Sequence, residues 1–221
     1  MRNVSGRLFL WGKGGGEEKA LESGKAEELM RLLPPDTMRL PSGRVPVAVI
    51  EVSEELRKAV CVIVSALSWK DKGESDDVQG LLAELVVVWW LRYEDLAVSG
   101  PPFYKGPSLH APVDIVTWRR RRRVDIGVRS KEYGRLAHFN DIGYPAFRID
   151  SDDEKLPNYI VATSVDGSSV AIWGAIHRRD LIRATADETP LEGHPAFYSI
   201  ALDAFSAEVL ECLLRDAERA S

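Results

Sequence analysis

The alternation of apolar and polar residues along the chain predicts both helices and strands. Val45–Val52 has the composition of a strand, and a helix is expected from Ser53 to about Ser68, because Ser53 followed by two glutamates is a favourable helix start. A second helix is expected from Val78 to about Leu91. Its sequence LLAELVVVWWL is apolar nearly all round, which predicts that this helix is buried.

The second half of the chain contains short runs of valine, isoleucine and aromatic residues, which are typical of strands. They are Val113–Trp118, Val124–Arg129, Ala146–Ile149, Tyr159–Ser164 and Val170–Ile176. Asp166-Gly167 between the last two runs predicts a hairpin turn. Apolar residues at helical spacing over Ser206–Ala220 predict a closing helix. The order of elements indicates an α/β protein.

The N-terminal part is expected to be an extension of the main fold. A helix is predicted from about Glu17 to Leu33, where two prolines end it. Together with the strand and helix that follow, it predicts that residues 1–75 form a strand-and-helix extension packed on a core. That core, residues 76–221, would include the buried helix, the later strands and the closing helix.

Composition narrows the classes of function. The 221 residues contain no run of about 18 apolar residues, so no membrane partner is expected. The N-terminus lacks the apolar run of a signal peptide, which predicts a cytoplasmic protein. The net charge of −5 argues against general coating of nucleic acid. Five consecutive arginines nevertheless provide what phosphate binding requires. They are Arg119, Arg120, Arg121, Arg122 and Arg123.

One acidic residue interrupts the buried helix. Glu84 shares its helix face with Gly80 and Val88, so a carboxylate there needs a partner or a metal ion. Asp114 opens one strand, and Asp125 lies in the next. If the arginines form the turn between these strands, both aspartates point to one side of the sheet. With the helix glutamate they would form an oxygen-rich site for Mg²⁺ or Mn²⁺. The alternative is that each acid only marks an exposed stripe or a strand end.

These motifs resemble the PD-(D/E)XK nuclease superfamily. QGLLAELVVVWWL resembles its first helix, PVDIVTW its strand with a single aspartate, and VDIGVRSK its strand with an acidic-x-lysine triplet. The resemblance covers about Val78 to Ile182 and implies a restriction-endonuclease-like mixed central sheet flanked by helices. It also implies that Glu84, Asp114 and Asp125 bind Mg²⁺ or Mn²⁺, which activates water for phosphodiester hydrolysis.

The chain departs from this family at the lysine position, which falls on Gly127. Alternation along the strand places residues 125, 127, 129 and 131 on one face. Arg129 and Lys131 are therefore the candidates to replace the lysine. Arg129 is expected to serve as a phosphate clamp, because a guanidinium does not deprotonate at working pH. Lys131 lies further away but is chemically closer to the missing residue. The alternative is that the site has lost catalysis and retains binding.

The arginine run is expected at the hairpin tip, beside the carboxylates, where a phosphate backbone would lie. Trp118, next to it, is a candidate for stacking on bases. Arg178 and Arg179 are expected to extend the same surface. The sequence therefore predicts a Mg²⁺-dependent endo- or exodeoxyribonuclease that acts on DNA, with a homodimer left open. The alternatives are a non-catalytic nucleic-acid-binding protein and a protein-interaction domain on the same fold.

Overall fold

The computed structural model describes residues 8–9, 20–21, 28–67, 74–99, 114–146, 149, 156–186, 188–192 and 196–217. The strands are β1 (Leu8–Phe9), β2 (Ala20–Leu21), β3 (Met30–Leu33), β4 (Ala48–Val52), β5 (Val98–Ser99), β6 (Ile115–Arg119), β7 (Arg122–Glu132), β8 (Asp141–Pro145), β9 (Tyr159–Asp166), β10 (Ser169–His177) and β11 (Phe197–Ala201). The helices are α1 (Glu54–Leu67), α2 (Glu74–Tyr93), α3 (Tyr133–Phe139), α4 (Arg178–Thr185) and α5 (Ala207–Asp216).

A seven-stranded mixed sheet forms the centre of the molecule. Its strand order is β3-β4-β10-β9-β7-β6-β5. All neighbouring strands are antiparallel except β7 and β9, which are parallel. This one parallel pair requires the long connection that contains α3 and β8, since parallel strands cannot be joined by a tight turn. Strands β8 and β11 form a separate antiparallel pair.

Each face of the central sheet is covered by its own apolar cluster. Helices α1, α2 and α5 pack on one face, where Val124, Ile126 and Val128 of β7 point. The opposite face contacts α3, α4 and the β8–β11 pair through side chains that include Ile160 and Trp173. The alternation of β7 side chains therefore decides which of its residues face the helices and which face the second layer.

The predicted buried helix is confirmed and is longer than expected. Every residue of α2 from Leu81 to Leu91 is buried except Glu84, which is half-buried. Helix α1 begins after Ser53, whose Oγ accepts a hydrogen bond from the Leu56 N–H at 3.2 Å, as expected for an N-cap. No helix in the described part of the chain has the length and apolar character needed to cross a membrane.

Most of the predicted strands are also confirmed, with shifted ends. The Asp166-Gly167 hairpin joins β9 to β10, and Gly167 has a φ of 54°, which favours glycine. The closing helix α5 begins after Ser206, whose side chain accepts a hydrogen bond from the Val209 N–H. Residues 218–220 of that prediction lie outside the described residues.

One predicted element is wrong in part, and another is misplaced. In the helix expected over residues 17–33, Glu28 and Leu29 are helical, but Ala20–Leu21 and Met30–Leu33 are strands, and residues 17–19 and 22–27 lie outside the described residues. Strand β3 hydrogen-bonds along β4, and this pairing outweighs the high helix propensity of MRLL. The strand expected over Ala146–Ile149 lies earlier, at β8, because DIGYP pairs with β11 despite its glycine and proline.

Candidate functional site

The five arginines lie at the turn of the β6–β7 hairpin, as predicted. Arg119 pairs with Arg122, so Arg120 and Arg121 are the two central residues of the turn. Both have positive φ, 49° and 64°, in a type of turn that favours Asn and Gly. All five arginine side chains are exposed. Positive charge is therefore concentrated at the end of a tight two-stranded hairpin.

Both predicted aspartates lie on the same face of this hairpin. Val116 pairs with Asp125, and a Cβ atom on Gly127, two residues further along β7, would lie 3.7 Å from Oδ2 of Asp114. Asp114 and Asp125 are therefore diagonal neighbours across the strand pair. Such neighbours lie about 7–8 Å apart, which long side chains can span.

Asp114 is held inside the molecule by β7. Its Oδ2 accepts a hydrogen bond from the Val128 N–H at 2.7 Å and lies 3.9 Å from Nη1 of Arg129. The side chains of Asp114 and Arg129 are only 12% and 19% exposed, so this ion pair is shielded from water. A buried carboxylate requires such partners, because its charge is costly to remove from water.

Glu84 of α2 acts on the same guanidinium. Burial on its own lowers the pKa of Arg129. The charge of Asp114, then the phenol of Tyr144 and the charge of Glu84 have the opposite effect and outweigh burial, so this pKa is raised. Arg129 therefore stays protonated beside the Asp114 carboxylate. Of the predicted site, the structure brings Asp114 to within 3.9 Å of Arg129, while Glu84 influences Arg129 through its charge, from a helix that packs on the other face of the sheet.

The guanidinium of Arg129 rests on an aromatic ring from the second layer. Its Cζ lies 4.9 Å from the centre of the Tyr144 ring, a cation–π contact. Its Nη1 donates to the Val128 carbonyl at 3.0 Å. Within the described residues, Nε and Nη2 of Arg129 and the hydroxyl of Tyr144 are buried without a hydrogen-bond partner. The ring face and the phenol of Tyr144 both favour the charged form of the guanidinium, which contributes to its raised pKa.

A proline closes the space over Gly127. A Cβ atom at Gly127 would lie 2.9 Å from Cγ of Pro157, closer than real Cβ contacts, and 3.7 Å from Oδ2 of Asp114. A lysine side chain would begin at that Cβ, so the ring of Pro157 would have to move to admit it. The packing over Gly127 therefore leaves no room for a lysine side chain.

Asp125 is bound near the root of the hairpin. Nε of Arg123 donates to its Oδ1 at 2.5 Å, and its own N–H donates to Oδ1 of Asn158 at 2.8 Å. The Asn158 carbonyl accepts a hydrogen bond from the Arg178 N–H at 3.0 Å. The start of α4, which carries Arg178 and Arg179, therefore lies at the root of the arginine hairpin.

Lys131 reaches away from Gly127. Its Nζ binds the carboxylate of Asp141 in β8 and lies 5.0 Å from the centre of the Phe139 ring. The other carboxylate oxygen of Asp141 accepts a hydrogen bond from the Ser199 hydroxyl. Lys131 thus ties β7 to the β8–β11 pair. Of the two candidates to replace the lysine, Arg129 lies beside the predicted ligand Asp114, whereas Lys131 lies beside Asp141.

The predicted metal ligands do not form a ligand cluster in the described part of the chain. No group of three or more Asp, Glu, His or Cys side chains there is arranged to hold a metal ion. Asp114 accepts from a backbone N–H beside Arg129, while Asp125 is bound by Arg123. In this arrangement the carboxylate oxygens of Asp114 and Asp125 already accept hydrogen bonds from protein N–H groups.

Sequence reasoning missed three residues of the site. Tyr144 and Pro157 contact Arg129 and Gly127, and Asn158 connects β7 to α4. The Pro-Asn dipeptide before a strand signals a turn, but nothing in the sequence sets that turn against β7. Trp118, the predicted stacking residue, is half-buried and pairs with Arg123 next to the hairpin turn.

Comparison with known proteins finds no matching family model, and no curated protein and no solved structure is significantly similar to this chain. The likeness to PD-(D/E)XK nucleases therefore consists of the short motifs around Glu84, Asp114 and Asp125.

Proposed function

We propose that this chain is a nucleic-acid-binding protein with a restriction-endonuclease-like fold whose former catalytic site is closed. One observation carries this proposal: the guanidinium of Arg129 lies against Asp114, under the influence of Glu84, while Pro157 covers Gly127. Arg129 supplies a fixed positive charge where a nuclease would need a metal ion and a lysine. The carboxylates then stabilise the fold instead of binding a metal ion.

Binding is assigned to the arginine hairpin because its charges are concentrated and solvent-exposed. Arg119 and Arg122 stand directly opposite each other, an arrangement of like charges that destabilises a free hairpin. A polyphosphate backbone relieves this repulsion and releases its counterions on binding. Because the whole chain has a net charge of −5, the rest of its surface repels phosphate on balance. We therefore expect the attraction only at the hairpin and at the neighbouring Arg178 and Arg179.

The test is the salt dependence of binding to DNA and RNA, measured by fluorescence anisotropy. We expect the logarithm of the binding constant of wild-type protein to fall linearly with that of the salt concentration. Arg119→Gln/Arg122→Gln should reduce this slope by about 1.8, at about 0.9 per phosphate contact in duplex DNA. The control Lys58→Gln/Arg135→Gln removes the same charge from exposed positions on α1 and α3. Equal slopes for all three proteins, or no binding to either nucleic acid, would refute the proposal.

A metal-dependent nuclease is the second candidate, and one observation favours it. Asp114, one of the three predicted ligands, lies 3.9 Å from a guanidinium suited to clamp a phosphate, and the charge of Glu84 also raises the pKa of that guanidinium. Bound Mg²⁺ or Mn²⁺ would supply an activated water. Incubation of plasmid and single-stranded DNA with either ion decides between the two functions. Cleavage that is lost in both Asp114→Ala and Asp125→Ala would establish the nuclease, and intact DNA in the presence of binding would establish the first proposal.

A further inference from the structure

The tip of the β6–β7 hairpin extends beyond its neighbours in the sheet. Strand β5 pairs with β6 at Val116 and Thr117, and β9 begins to pair with β7 at Ile126. Among the described strands, none pairs with β6 after Thr117 or with β7 before Ile126. The last residues of the hairpin therefore form a two-stranded ribbon that carries all five arginines at its end.

We infer that this ribbon enters the major groove of duplex DNA, a step that rests on the proposed function. On β6, residues 118 and 119 separate the end of sheet pairing from the turn, and on β7 residues 122–125 do so, which corresponds to about 7–13 Å at ~3.3 Å per residue. The major groove of B-form DNA is about 8.5 Å deep and about 12 Å wide, and it admits a two-stranded ribbon. The length and width of the ribbon both match this groove.

The other grooves of nucleic-acid duplexes do not fit the ribbon. The minor groove of B-form DNA is only about 6 Å wide, which excludes two paired strands. The major groove of A-form RNA is too narrow for side chains to reach its base edges. Single strands are bound by aromatic platforms. In the described part of the hairpin tip, the one aromatic side chain is Trp118, which is half-buried.

The turn conformation indicates that Arg120 and Arg121 are the residues that reach the floor of the groove. Both are held at positive φ, which costs free energy for any residue other than glycine. Asn-Gly would form the same turn without this cost. Arginine is also the side chain that most often contacts guanine in the major groove. Arg119 and Arg122, one step back from the turn, then lie at the level of the phosphates.

The test compares wild-type protein with Arg120→Asn/Arg121→Gly, which preserves the turn and removes two guanidinium groups. The probes are a short DNA duplex, the same duplex with its major groove filled by glucosylated 5-hydroxymethylcytosine, and the same duplex with a ligand in its minor groove. We expect filling of the major groove to weaken wild-type binding about tenfold or more, and the minor-groove ligand to have little effect. The affinity of the variant for the plain duplex should be about tenfold lower than that of wild type. Filling the major groove should weaken binding of the variant less than it weakens binding of wild type. The charge-matched control Lys58→Gln/Arg135→Gln should behave as wild type.

Each other outcome overturns the inference. If the minor-groove ligand weakens binding and the filled major groove does not, the ribbon does not enter the major groove. The same follows if the variant binds the plain duplex as tightly as wild type, or if duplex RNA is bound as well as duplex DNA. In these cases the proposed function survives. If wild-type protein binds no nucleic acid, both the inference and the proposed function fail.

Discussion

The base and the tip of the β6–β7 hairpin both carry arginine, but their surroundings differ in burial and charge. At the base, Arg129 is 19% exposed, lies 3.9 Å from the Asp114 carboxylate and rests on the ring of Tyr144. At the tip, the arginines are exposed, and Arg119 faces Arg122 across the ladder. The charge at the base lies in a shielded ion pair, whereas the charges at the tip are concentrated in solvent, with Arg123 bound to Asp125. In our proposal, this difference assigns stability to the base and binding to the tip.

The largest effect is expected from removing the charge at the base. Arg129→Met should lower the free energy of unfolding by about 3 kcal/mol, because it leaves the Asp114 carboxylate buried without its cation. Urea unfolding measures this loss. Adding Asp114→Asn to Arg129→Met should recover part of it, since the second change removes the unpaired charge. Arg135→Met, at an exposed position, should change the free energy by less than about 0.5 kcal/mol. If the loss of unfolding free energy in the double variant equals the sum of the two single losses, Asp114 and Arg129 are not coupled.

The second-largest effect is expected at Gly127, where the ring of Pro157 leaves no room for a side chain. Gly127→Ala should lower the free energy of unfolding by about 1–3 kcal/mol, because its Cβ would meet the ring of Pro157 at 2.9 Å. Gly127→Ala/Pro157→Ala should be less destabilised than the sum of the two single variants. Gly134→Ala in α3, where nothing lies within 4 Å, should instead stabilise the helix by up to about 1 kcal/mol. A neutral Gly127→Ala would show that the site can admit a side chain.

A smaller effect of opposite sign is expected at the tip. Arg120→Asn/Arg121→Gly should raise the free energy of unfolding by about 1–2 kcal/mol, since it relieves two left-handed arginines and their mutual repulsion. Thermal and urea unfolding can measure this gain. The β9–β10 hairpin provides the converse control. Gly167→Ala, at a φ of 54°, should be destabilising there. A tip variant less stable than wild type would mean that the arginines support the fold.

The smallest effect concerns His177, near the root of the hairpin. Its Nδ1 accepts a hydrogen bond from the Arg179 N–H at 3.2 Å, which requires that nitrogen to be unprotonated. Burial lowers the pKa of His177, Asp180 opposes this shift, and Arg179 and Arg178 add to it. Because the folded-state pKa of His177 lies below the ordinary value of about 6.5, the neutral side chain contributes its full stabilisation of the fold above pH ~6.5. This contribution is lost as the pH falls below that value and through the folded-state pKa.

The measurement is the difference in stability between wild type and His177→Asn from pH 7 to pH 5. Asparagine can cap the helix without titrating, so the variant should lose less stability than wild type, by at most about 1 kcal/mol. Parallel curves for the two proteins would show that protonation of His177 does not affect the start of α4.

The predictability of the site differed from residue to residue. Alternation of side chains along a strand placed Asp114 and Asp125 on one face, and the structure confirms it. The same rule put Arg129 and Lys131 on that face, but it could not choose between them. The choice depended on β8, where Asp141 takes Lys131 and Tyr144 supports Arg129. Sequence patterns predicted this strand at the wrong position, because β8 forms by pairing with β11, more than fifty residues further along the chain.

Local chemistry was sufficient for elements whose cause lies within a few residues. The apolar run of α2, the cap at Ser53 and the Asp166-Gly167 turn follow from periodicity, capping and turn preferences. Strand β3 and the closure over Gly127 had no local cause. The first forms because β4 offers an edge to pair with, and the second because Pro157 packs on β7. The sequence by itself determined the hairpin, its five arginines and the face that the acids share. Only the tertiary structure decided how these acids are held, because Tyr144, Pro157 and Asn158, which pack on Arg129, Gly127 and Asp125, come from outside the hairpin.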